Sequence, residues 1–171
     1  MCNSKKIYMN IRKENVSEAD QITNIHDLAF KGPDEGKIVE ALRKSSNLTI
    51  SLVCEIDGKL AGHIAYSPIK NKDNETIGTG LAPVAVLPSM QKQGIGSALI
   101  EQGNRDALGM GFKKIFVLGD PGYYRRFAFM LAREYNYYCE YDPEGDHFMV
   151  LGAEAKEPKK TVVYYCREFN V

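Results

Sequence analysis

The sequence predicts a layered α/β domain, and two observations support that expectation. Along the chain, apolar residues switch between helical spacing and the alternation typical of strands, so helices and strands follow one another. With 171 residues, of which 44% are hydrophobic and 26% charged, the chain is long enough to bury a core of its own. Because it contains no internal repeat and no low-complexity linker, we expect one domain over residues 1–171.

One strand and two helices are expected first. Residues 6–12 are interpreted as a strand, and Ser17 is expected to cap the helix that follows. Gly32-Pro33 breaks the chain, and residues 35–44 are expected to form the second helix. Apolar residues at helical spacing mark the buried side of each helix: Ile22, Ile25 and Ala29 in the first, Ile38, Val39 and Leu42 in the second.

A hairpin follows in the segment "TISLVCEIDGKLAGHIAY", which alternates with period two. Asp57-Gly58 is the preferred two-residue turn between antiparallel strands. That turn sets Leu52 opposite His63, so we expect His63 on the apolar face of Leu52 and Cys54. The favoured interpretation is a core histidine with a satisfied hydrogen bond, and a catalytic histidine is the alternative.

The rest of the chain is expected to continue the alternation. The third strand of the meander is "ETIGTGLAPVAVLP", which should be irregular near Pro83 because proline has no N–H to pair. The helix that begins in "QKQGIGSALI" should run to about Leu108, where Gly109 and Gly111 stop it. We expect a buried strand at "KKIFVLGD", a short helix at "GYYRRFAF", an exposed acidic loop at 142–146, and two last strands at "HFMVLGAE" and "KTVVYYCREF".

Charge and cysteine content narrow the function. Lys+Arg and Asp+Glu each number 22, so nothing overall draws the chain to nucleic acid or to an anionic membrane, and any anion site must be local. No apolar run approaches the ~20 residues of a membrane helix, and the N-terminus lacks the apolar stretch of a signal peptide. We therefore expect a cytoplasmic protein, without a metal site or disulfide, because its four cysteines are far apart and form no CxxC pair: Cys2, Cys54, Cys139 and Cys166.

Two glycines, Gly94 and Gly96, stand where the helix after the third meander strand begins. Exposed backbone N–H groups at a helix N-terminus, together with the helix dipole, form a phosphate-binding arrangement. A plain tight turn is the alternative. The dinucleotide fingerprint requires a third glycine where Leu99 stands, and the chain contains no Gly-Lys-Ser/Thr string of a P-loop.

A third phosphate motif fits. The strand Val84-Ala85-Val86-Leu87-Pro88, followed by Gln91-x-x-Gly94-x-Gly96, resembles the acyl-coenzyme A signature of the GNAT N-acetyltransferases. Downstream, "YRRFAF" at 124–129 is similar to the family's "YEKLGF" segment, with Ala128 in place of the usual glycine. The order of helices and strands also matches over most of the chain, and "FVLGDPGYYRRFAF" looks like a subgroup of bacterial and archaeal acetyltransferases known only by prediction.

The resemblance implies the fold of that family. It consists of a central mixed, mostly antiparallel sheet of about seven strands, splayed between the fourth and fifth strands and flanked by about four helices. The whole chain, residues 1–171, would then be a single N-acetyltransferase domain. A homodimer through the last strands is common in the family, although no residue of this chain requires one.

The resemblance also implies acetyl-CoA as co-substrate. The backbone of Val84, Ala85 and Val86 would pair with the pantetheine arm as if with a neighbouring strand, and the amide near Val86 would polarise the thioester carbonyl. Lys92 would add charge, or it is an ordinary solvated loop lysine. The pyrophosphate would be held by the residues that open the helix: Gln91, Lys92, Gln93, Gly94, Ile95, Gly96, Ser97 and Ala98.

By the same resemblance, Tyr124 matches the general acid that faces the departing sulfur, with a packing role as the alternative. An unperturbed tyrosine has a pKa of ~10 and a thiol of ~8.5, so full proton transfer to the thiolate is uphill by roughly 2 kcal/mol. Tyr124 is therefore expected mainly to donate a hydrogen bond unless its pKa is lowered.

The general base stays open in the sequence. Many relatives carry a glutamate on the coenzyme strand, where this chain has Ala82, Pro83 and Ala85. Asp120, His63 or a water relay are the candidates, and Asp120 has the alternative of bonding its own turn.

The function expected from this resemblance is direct transfer of an acetyl group from acetyl-CoA to an amine of an unidentified small molecule or peptide. Two alternatives remain beside it. One is a non-catalytic acyl-CoA-binding or sensing module, suggested by the missing glutamate. The other is an acyltransferase that uses another acyl-CoA, because the motif contacts the shared coenzyme and not the acyl chain.

Overall fold

A seven-stranded sheet forms the centre of the fold in the computed structural model, which describes residues 7–171. Residue 6 of the predicted first strand and Cys2 lie outside the described residues. In chain order the helices and strands are β1 Asn10–Lys13, α1 Ala19–Phe30, α2 Asp34–Lys44, β2 Ile50–Ile56, β3 Lys59–Lys70, β4 Thr76–Val86, α3 Ile95–Gly109, β5 Ile115–Leu118, α4 Pro121–Tyr124, β6 Met130–Leu131, β7 Tyr137–Cys139, β8 Phe148–Leu151 and β9 Thr161–Val163.

The strand order of the main sheet is β1-β2-β3-β4-β5-β8-β6. All neighbours are antiparallel except β4 and β5, which are joined by α3 and pair in parallel at Thr79–Ile115 and Gly80–Phe116. Beyond Gly80, β4 continues to Val86 while β5 ends at Leu118, so the two strands separate. This confirms the mixed, mostly antiparallel sheet that is splayed between its fourth and fifth strands.

Each face of the sheet carries its own core. Along β5, Ile115 and Val117 pack with α3, whereas Phe116 points to the opposite side. That opposite side is covered by α1 and α2 over β2 and β3, and by β7, β9 and the chain after β9 over β5 and β8. No helix among the described residues 7–171 is long and apolar enough to cross a membrane.

The seventh strand of the sheet is not the one that the sequence suggests. The predicted last strand, "KTVVYYCREF", contributes only β9, which pairs in parallel with β7 in a separate two-stranded sheet. The edge of the main sheet is instead β6, whose two residues pair with Val150 and Met149 of β8. A two-residue strand is too short to show an alternating pattern, so no sequence signal marks it.

The prediction that Ser17 caps the first helix is wrong. A single 3₁₀ turn, Val16–Glu18, precedes α1, and Asn15 caps that turn in a capping box. The backbone N–H of Asn15 donates to Glu18 Oε2 at 2.7 Å. Glu18 also accepts two hydrogen bonds from Arg12, so its reach back to Asn15 fixes the entry of α1 against β1.

The hairpin register also departs from the prediction. The Asp57-Gly58 turn is present, but a bulge at Ala61 shifts the pairing, so that Val53 rather than Leu52 lies opposite His63. One extra residue moves the following side chains to the other face. His63 therefore faces α1 and not the α3 side where Leu52 and Cys54 pack. The predicted irregularity near Pro83 is confirmed, since the β3–β4 register shifts there.

His63 belongs to a buried chain of hydrogen bonds. Its Nδ1 lies 2.8 Å from His26 Nε2, and its Nε2 lies 2.8 Å from Ser51 Oγ. Ser51 donates its only hydroxyl hydrogen to Glu14 Oε2 at 2.5 Å, and Arg43 holds Glu14 with two more hydrogen bonds. Ser51 then accepts from His63 Nε2–H. Burial lowers the pKa of both histidines and keeps them neutral, and in a neutral His63 the remaining nitrogen, Nδ1, accepts from His26 Nε2–H.

Burial and the hydrogen bonds within this network maintain the protonation states of its side chains. Burial lowers the pKa of His26 to about 3, assisted by the neighbouring His63, and burial also lowers the pKa of His63. Burial would raise the pKa of Glu14, but the hydrogen bonds from His63, Arg43 and Ser51 outweigh it and bring that pKa well below its usual value. The favoured interpretation of His63 as a core histidine agrees with this arrangement.

These shifts predict an acid-sensitive fold. Because the folded pKa of His26 lies below the unfolded value of ~6.5, stability is fully present above pH 6.5 and declines as the pH falls toward about 3. At pH 5 the loss from His26 alone should be about 2 kcal/mol relative to pH 8. Urea unfolding between pH 8 and 5, where most carboxylates remain ionised, measures it.

His147 serves as the control because it is exposed. The His147→Gln variant should show the same pH dependence as the wild type, and the His26→Leu variant should show a shallower one. A free energy of unfolding that is flat between pH 8 and 5 in the wild type would contradict the neutral buried pair.

Candidate active site

A cleft of about 660 Å³ opens where β4 leaves β5 and α3 begins. Most residues of the predicted coenzyme set line it, and they come from the end of β4, the loop 87–94 and the first turn of α3. The lining consists of Val84, Val86, Met90, Gln91, Lys92, Gly94, Ile95, Gly96, Ser97, Tyr123 and Arg126.

Three residues of the predicted set do not line the cleft. Ala85 is buried and lies opposite His63, so its side chain faces α1, as the strand alternation requires. Gln93 is exposed in the loop. The amide of Ala98 already donates to the carbonyl of Gly94 at 3.0 Å, as the first intrahelical hydrogen bond of α3.

The start of α3 presents unpaired amides to the cleft. The first turn of any helix leaves N–H groups without intrahelical partners, here those of Ile95, Gly96 and Ser97. Gly94 takes a left-handed conformation (φ 83°), and no atom lies within 4 Å of the position where its Cβ would stand. A left-handed turn at this point favours glycine, and the open space in front of it leaves room for a ligand. The local charge of a helix N-terminus favours an anion there.

Three residues that line this cleft, Met90, Tyr123 and Arg126, are absent from the set predicted from the sequence. Arg126 donates from Nε to the carbonyl oxygen of Tyr123 at 3.0 Å, and its guanidinium lies 4.4 Å from the centre of the Tyr123 ring. The Tyr123 hydroxyl in turn reaches to 3.3 Å from the Cβ position of Gly96. Tyr123 and Arg126 are three residues apart on the short helix, and this spacing puts both side chains on the same side of it. That spacing could have identified them from the sequence.

Tyr124 points into the α3-side core instead. Its ring is 9% exposed and packs so closely on Gly119, at the end of β5, that a Cβ there would overlap it. Burial, and next the neighbouring Tyr123, raise the pKa of Tyr124 to about 12. Full proton transfer to a thiolate of pKa ~8.5 would then be uphill by about 5 kcal/mol. Full proton transfer from Tyr124 is therefore unfavourable, and its side chain does not line the cleft of Val86 and Gly94.

Of the two side chains considered as a base, only Asp120 is exposed. His63 is fully buried, and both of its ring nitrogens have hydrogen-bond partners. Asp120 caps α4, where its Oδ1 accepts from the amide of Gly122 at 2.9 Å. Among residues 7–171 no group of three or more His, Cys, Asp or Glu side chains is arranged to hold a metal ion.

Comparison with known proteins places this geometry in a family. Residues 19–130 match the family described as "Acetyltransferase (GNAT) family". The Escherichia coli K12 protein YhbS, described as an uncharacterized N-acetyltransferase, is 31% identical over 165 residues, which cover 95% of this chain and 99% of YhbS. The chain therefore belongs to the GNAT family of acetyltransferases, which confirms the family that its sequence resembles.

Solved structures agree. A GNAT family acetyltransferase from Brucella melitensis in complex with acetyl-CoA is 38% identical, with a TM-score of 0.80 over 95% of this chain and 98% of that one. Escherichia coli YhbS in complex with CoA is 29% identical, with a TM-score of 0.90 over 100% of this chain and 97% of that one. The predicted fold is thereby confirmed along nearly the whole chain.

Proposed function

We propose that the chain binds acetyl-CoA in the cleft at α3 and transfers the acetyl group directly to an amine. The observation that carries the proposal is the junction of two features in one cleft. One is a helix N-terminus with unpaired amides, and the other is the edge of β4 that β5 leaves free. The complexes of the Brucella and Escherichia coli proteins with acetyl-CoA and CoA support it.

The coenzyme is assigned to the predicted residues. The pyrophosphate lies against the loop and first turn, Gln91 to Ala98, with Lys92 and Arg126 as the cations that line the cleft. The pantetheine arm pairs with the backbone of Val84 to Val86. In the free protein the side chain of Gln91 donates a hydrogen bond to the carbonyl oxygen of Val86 at 3.2 Å. Binding of the pantetheine arm would replace this hydrogen bond at the edge of β4.

The transfer follows from what these groups can do. The amine nitrogen attacks the thioester carbonyl carbon while the amide near Val86 polarises the oxygen. The C–N bond forms, the C–S bond breaks, and the sulfur leaves as a thiolate that accepts a hydrogen bond from Tyr124. The proton lost by the amine passes to water or to the exposed carboxylate of Asp120, because His63 is enclosed.

One observation favours a second candidate, a non-catalytic acyl-CoA-binding module. The coenzyme strand carries Ala82, Pro83 and Ala85 and so has no carboxylate beside the thioester. Such a module would bind acetyl-CoA with the same residues and would show no turnover with any amine. A transferase for other acyl groups would use the same cleft.

The proposal treats residues 1–171 as one acetyltransferase domain acting on a small molecule or a peptide. We also propose a cytoplasmic location, because the widely separated cysteines suggest reduced thiols. A homodimer would form through the last strands, and light scattering on the purified chain measures whether it does.

Two measurements test the function in sequence. Calorimetry with acetyl-CoA should show binding of one molecule per chain, and thiol release should be followed with spermidine, 2-phenylethylamine, lysine and a peptide with a free N-terminus. Binding with turnover on an amine supports the transferase. Binding without turnover on any amine supports the module, and absence of binding refutes both.

The two glycines of the cleft should respond differently. Gly94→Glu should abolish acetyl-CoA binding, because it forces a left-handed backbone on a side chain and fills the space for the pyrophosphate. Gly96→Ala should largely keep binding, since its methyl group meets the Tyr123 hydroxyl at 3.3 Å and Val86 Cγ2 at an ordinary contact distance of 3.8 Å. Equal losses in a binding titration would show that the pyrophosphate is placed wrongly.

Arg126 should contribute to coenzyme affinity through charge. Arg126→Gln is expected to weaken acetyl-CoA binding about tenfold, or 1.4 kcal/mol, at low salt and by less in 0.5 M salt. The matched control is Arg125→Gln, because Arg125 is exposed and does not line the cleft. A similar loss in both variants would mean that only the overall charge matters.

Tyr124→Phe should slow turnover without changing coenzyme affinity. Loss of one hydrogen bond to a developing thiolate costs about 10-fold to 100-fold in kcat. Tyr135→Phe, a partly buried tyrosine outside the cleft, is the control and should keep wild-type kcat. Unchanged kcat in Tyr124→Phe would leave that ring with a packing role only.

A further inference from the structure

Tyr165 sits on the far side of the β4–β5 gap from the coenzyme cleft. It follows β9 in a segment, residues 161–169, that lies beyond the part of the chain matched by the family. A backbone bridge between Tyr164 and Lys70 ties this segment to the end of β3. The Tyr165 ring packs with Phe116 and Phe148, the cluster on the face opposite α3.

The ring lies directly on β4 where the strand is about to leave β5. Its Cε1 is 3.0 Å from the Cβ position of Gly80, and Gly80 forms the last pair with Phe116 before the strands separate. Any side chain at Gly80 would push the ring away from the strand. The glycine therefore allows Tyr165 to approach the gap.

The hydroxyl of Tyr165 is buried and has no hydrogen-bond partner among the described residues. A buried hydroxyl is normally paired, and leaving one unpaired carries a free-energy cost. Three aromatic rings pack near it and do not satisfy it: Phe169, Tyr141 and Phe148, with ring centres 5.1, 6.0 and 6.4 Å away. Such a group in a native fold needs an explanation.

Tyr124 and Tyr165 approach the gap from opposite faces of the sheet. Tyr124 belongs to the core on the α3 side and Tyr165 to the core on the other side. The two are near enough that Tyr124, after burial and Cys139, is among the groups that raise the pKa of Tyr165. Tyr165 stays neutral at any working pH and can donate or accept a hydrogen bond, but it is a poor base.

We infer that the Tyr165 hydroxyl is a contact for the acceptor amine, which it orients toward the acetyl group across the β4–β5 gap. This rests on the proposed acetyl transfer. With the coenzyme on the α3 side of the gap, the acceptor comes from the other side, where the Tyr165 ring lies against Gly80 and its unpaired hydroxyl stays buried until the acceptor reaches it. That oxygen accepts one N–H of the neutral amine and leaves the nitrogen lone pair directed at the thioester carbon.

The experiment compares Tyr165→Phe with Tyr137→Phe. Both variants lose a single buried hydroxyl, but the Tyr137 hydroxyl donates to Glu157, whereas that of Tyr165 is unpaired. In the free protein we expect the Tm of Tyr165→Phe to equal or exceed that of the wild type, and the Tm of Tyr137→Phe to fall by a few degrees. A fall in the Tm of Tyr165→Phe would overturn the inference, because its hydroxyl would then be satisfied within the fold.

The kinetic arm uses the member of the amine panel that the wild type acetylates fastest. Tyr165→Phe should lower kcat/KM for that amine at least tenfold while the calorimetric Kd for acetyl-CoA stays the same, and Tyr137→Phe should keep both values. An unchanged kcat/KM, or a loss that appears only as weaker acetyl-CoA binding, would overturn the inference. If no amine is acetylated, the proposed transfer fails, the inference that rests on it falls, and the Tm arm still tells whether the hydroxyl is unpaired.

Discussion

The separation of β4 from β5 is the constraint on which the rest of the site depends. After the pair Gly80–Phe116, β4 runs on to Val86 with one edge still bonded to β3 and the other edge free. Backbone N–H and C=O groups that are neither paired nor hydrated are costly, so a strand edge that opens inside a fold must face water or a ligand. An extended ligand with amide groups of its own, such as pantetheine, satisfies that edge as a strand would.

The separation also explains why the site has two sides with different chemistry. Alternation along β5 sends Ile115 and Val117 to α3 and Phe116 to the opposite face, so each face has a closed core up to the gap. Tyr124 fills the first core at the gap and Tyr165 the second. A coenzyme that enters along α3 leaves only the Tyr165 face for an acceptor. In the proposed reaction the two substrates then meet within the sheet, at the gap.

The sequence predicted the fold and most of the coenzyme cleft because their signals are local. The V-x-V-x-P strand, the glycines and the helix that follows lie within about twenty consecutive residues, and the chain order brings them together without further information. The Ala61 bulge has no such signal, and a single extra residue there turned His63 to the opposite face. Tyr165 is 85 residues from Gly80, and only the three-dimensional structure shows their contact. Tyr123 and Arg126 stood next to the predicted Tyr124, and their side of the short helix could have been read from the spacing.

The buried hydrogen-bond network around His63 prevents this histidine from acting as a general base next to β4. His63 pairs with Ala85 of the coenzyme strand. From the strand register alone, it could be taken for a general base beside the thioester. The Ser51–Glu14–Arg43 group fixes its proton on Nε2, and His26 occupies the other nitrogen, so no lone pair of His63 is free. Burial also lowers the pKa of His63, so this imidazole is a weak base toward the proton of an amine. The network thus joins α1 and α2 to the sheet beneath the coenzyme strand, and it removes His63 from the candidates for the base. A site built in this way depends on orienting a neutral amine more than on creating a strong base, and the unpaired Tyr165 hydroxyl is placed for that task.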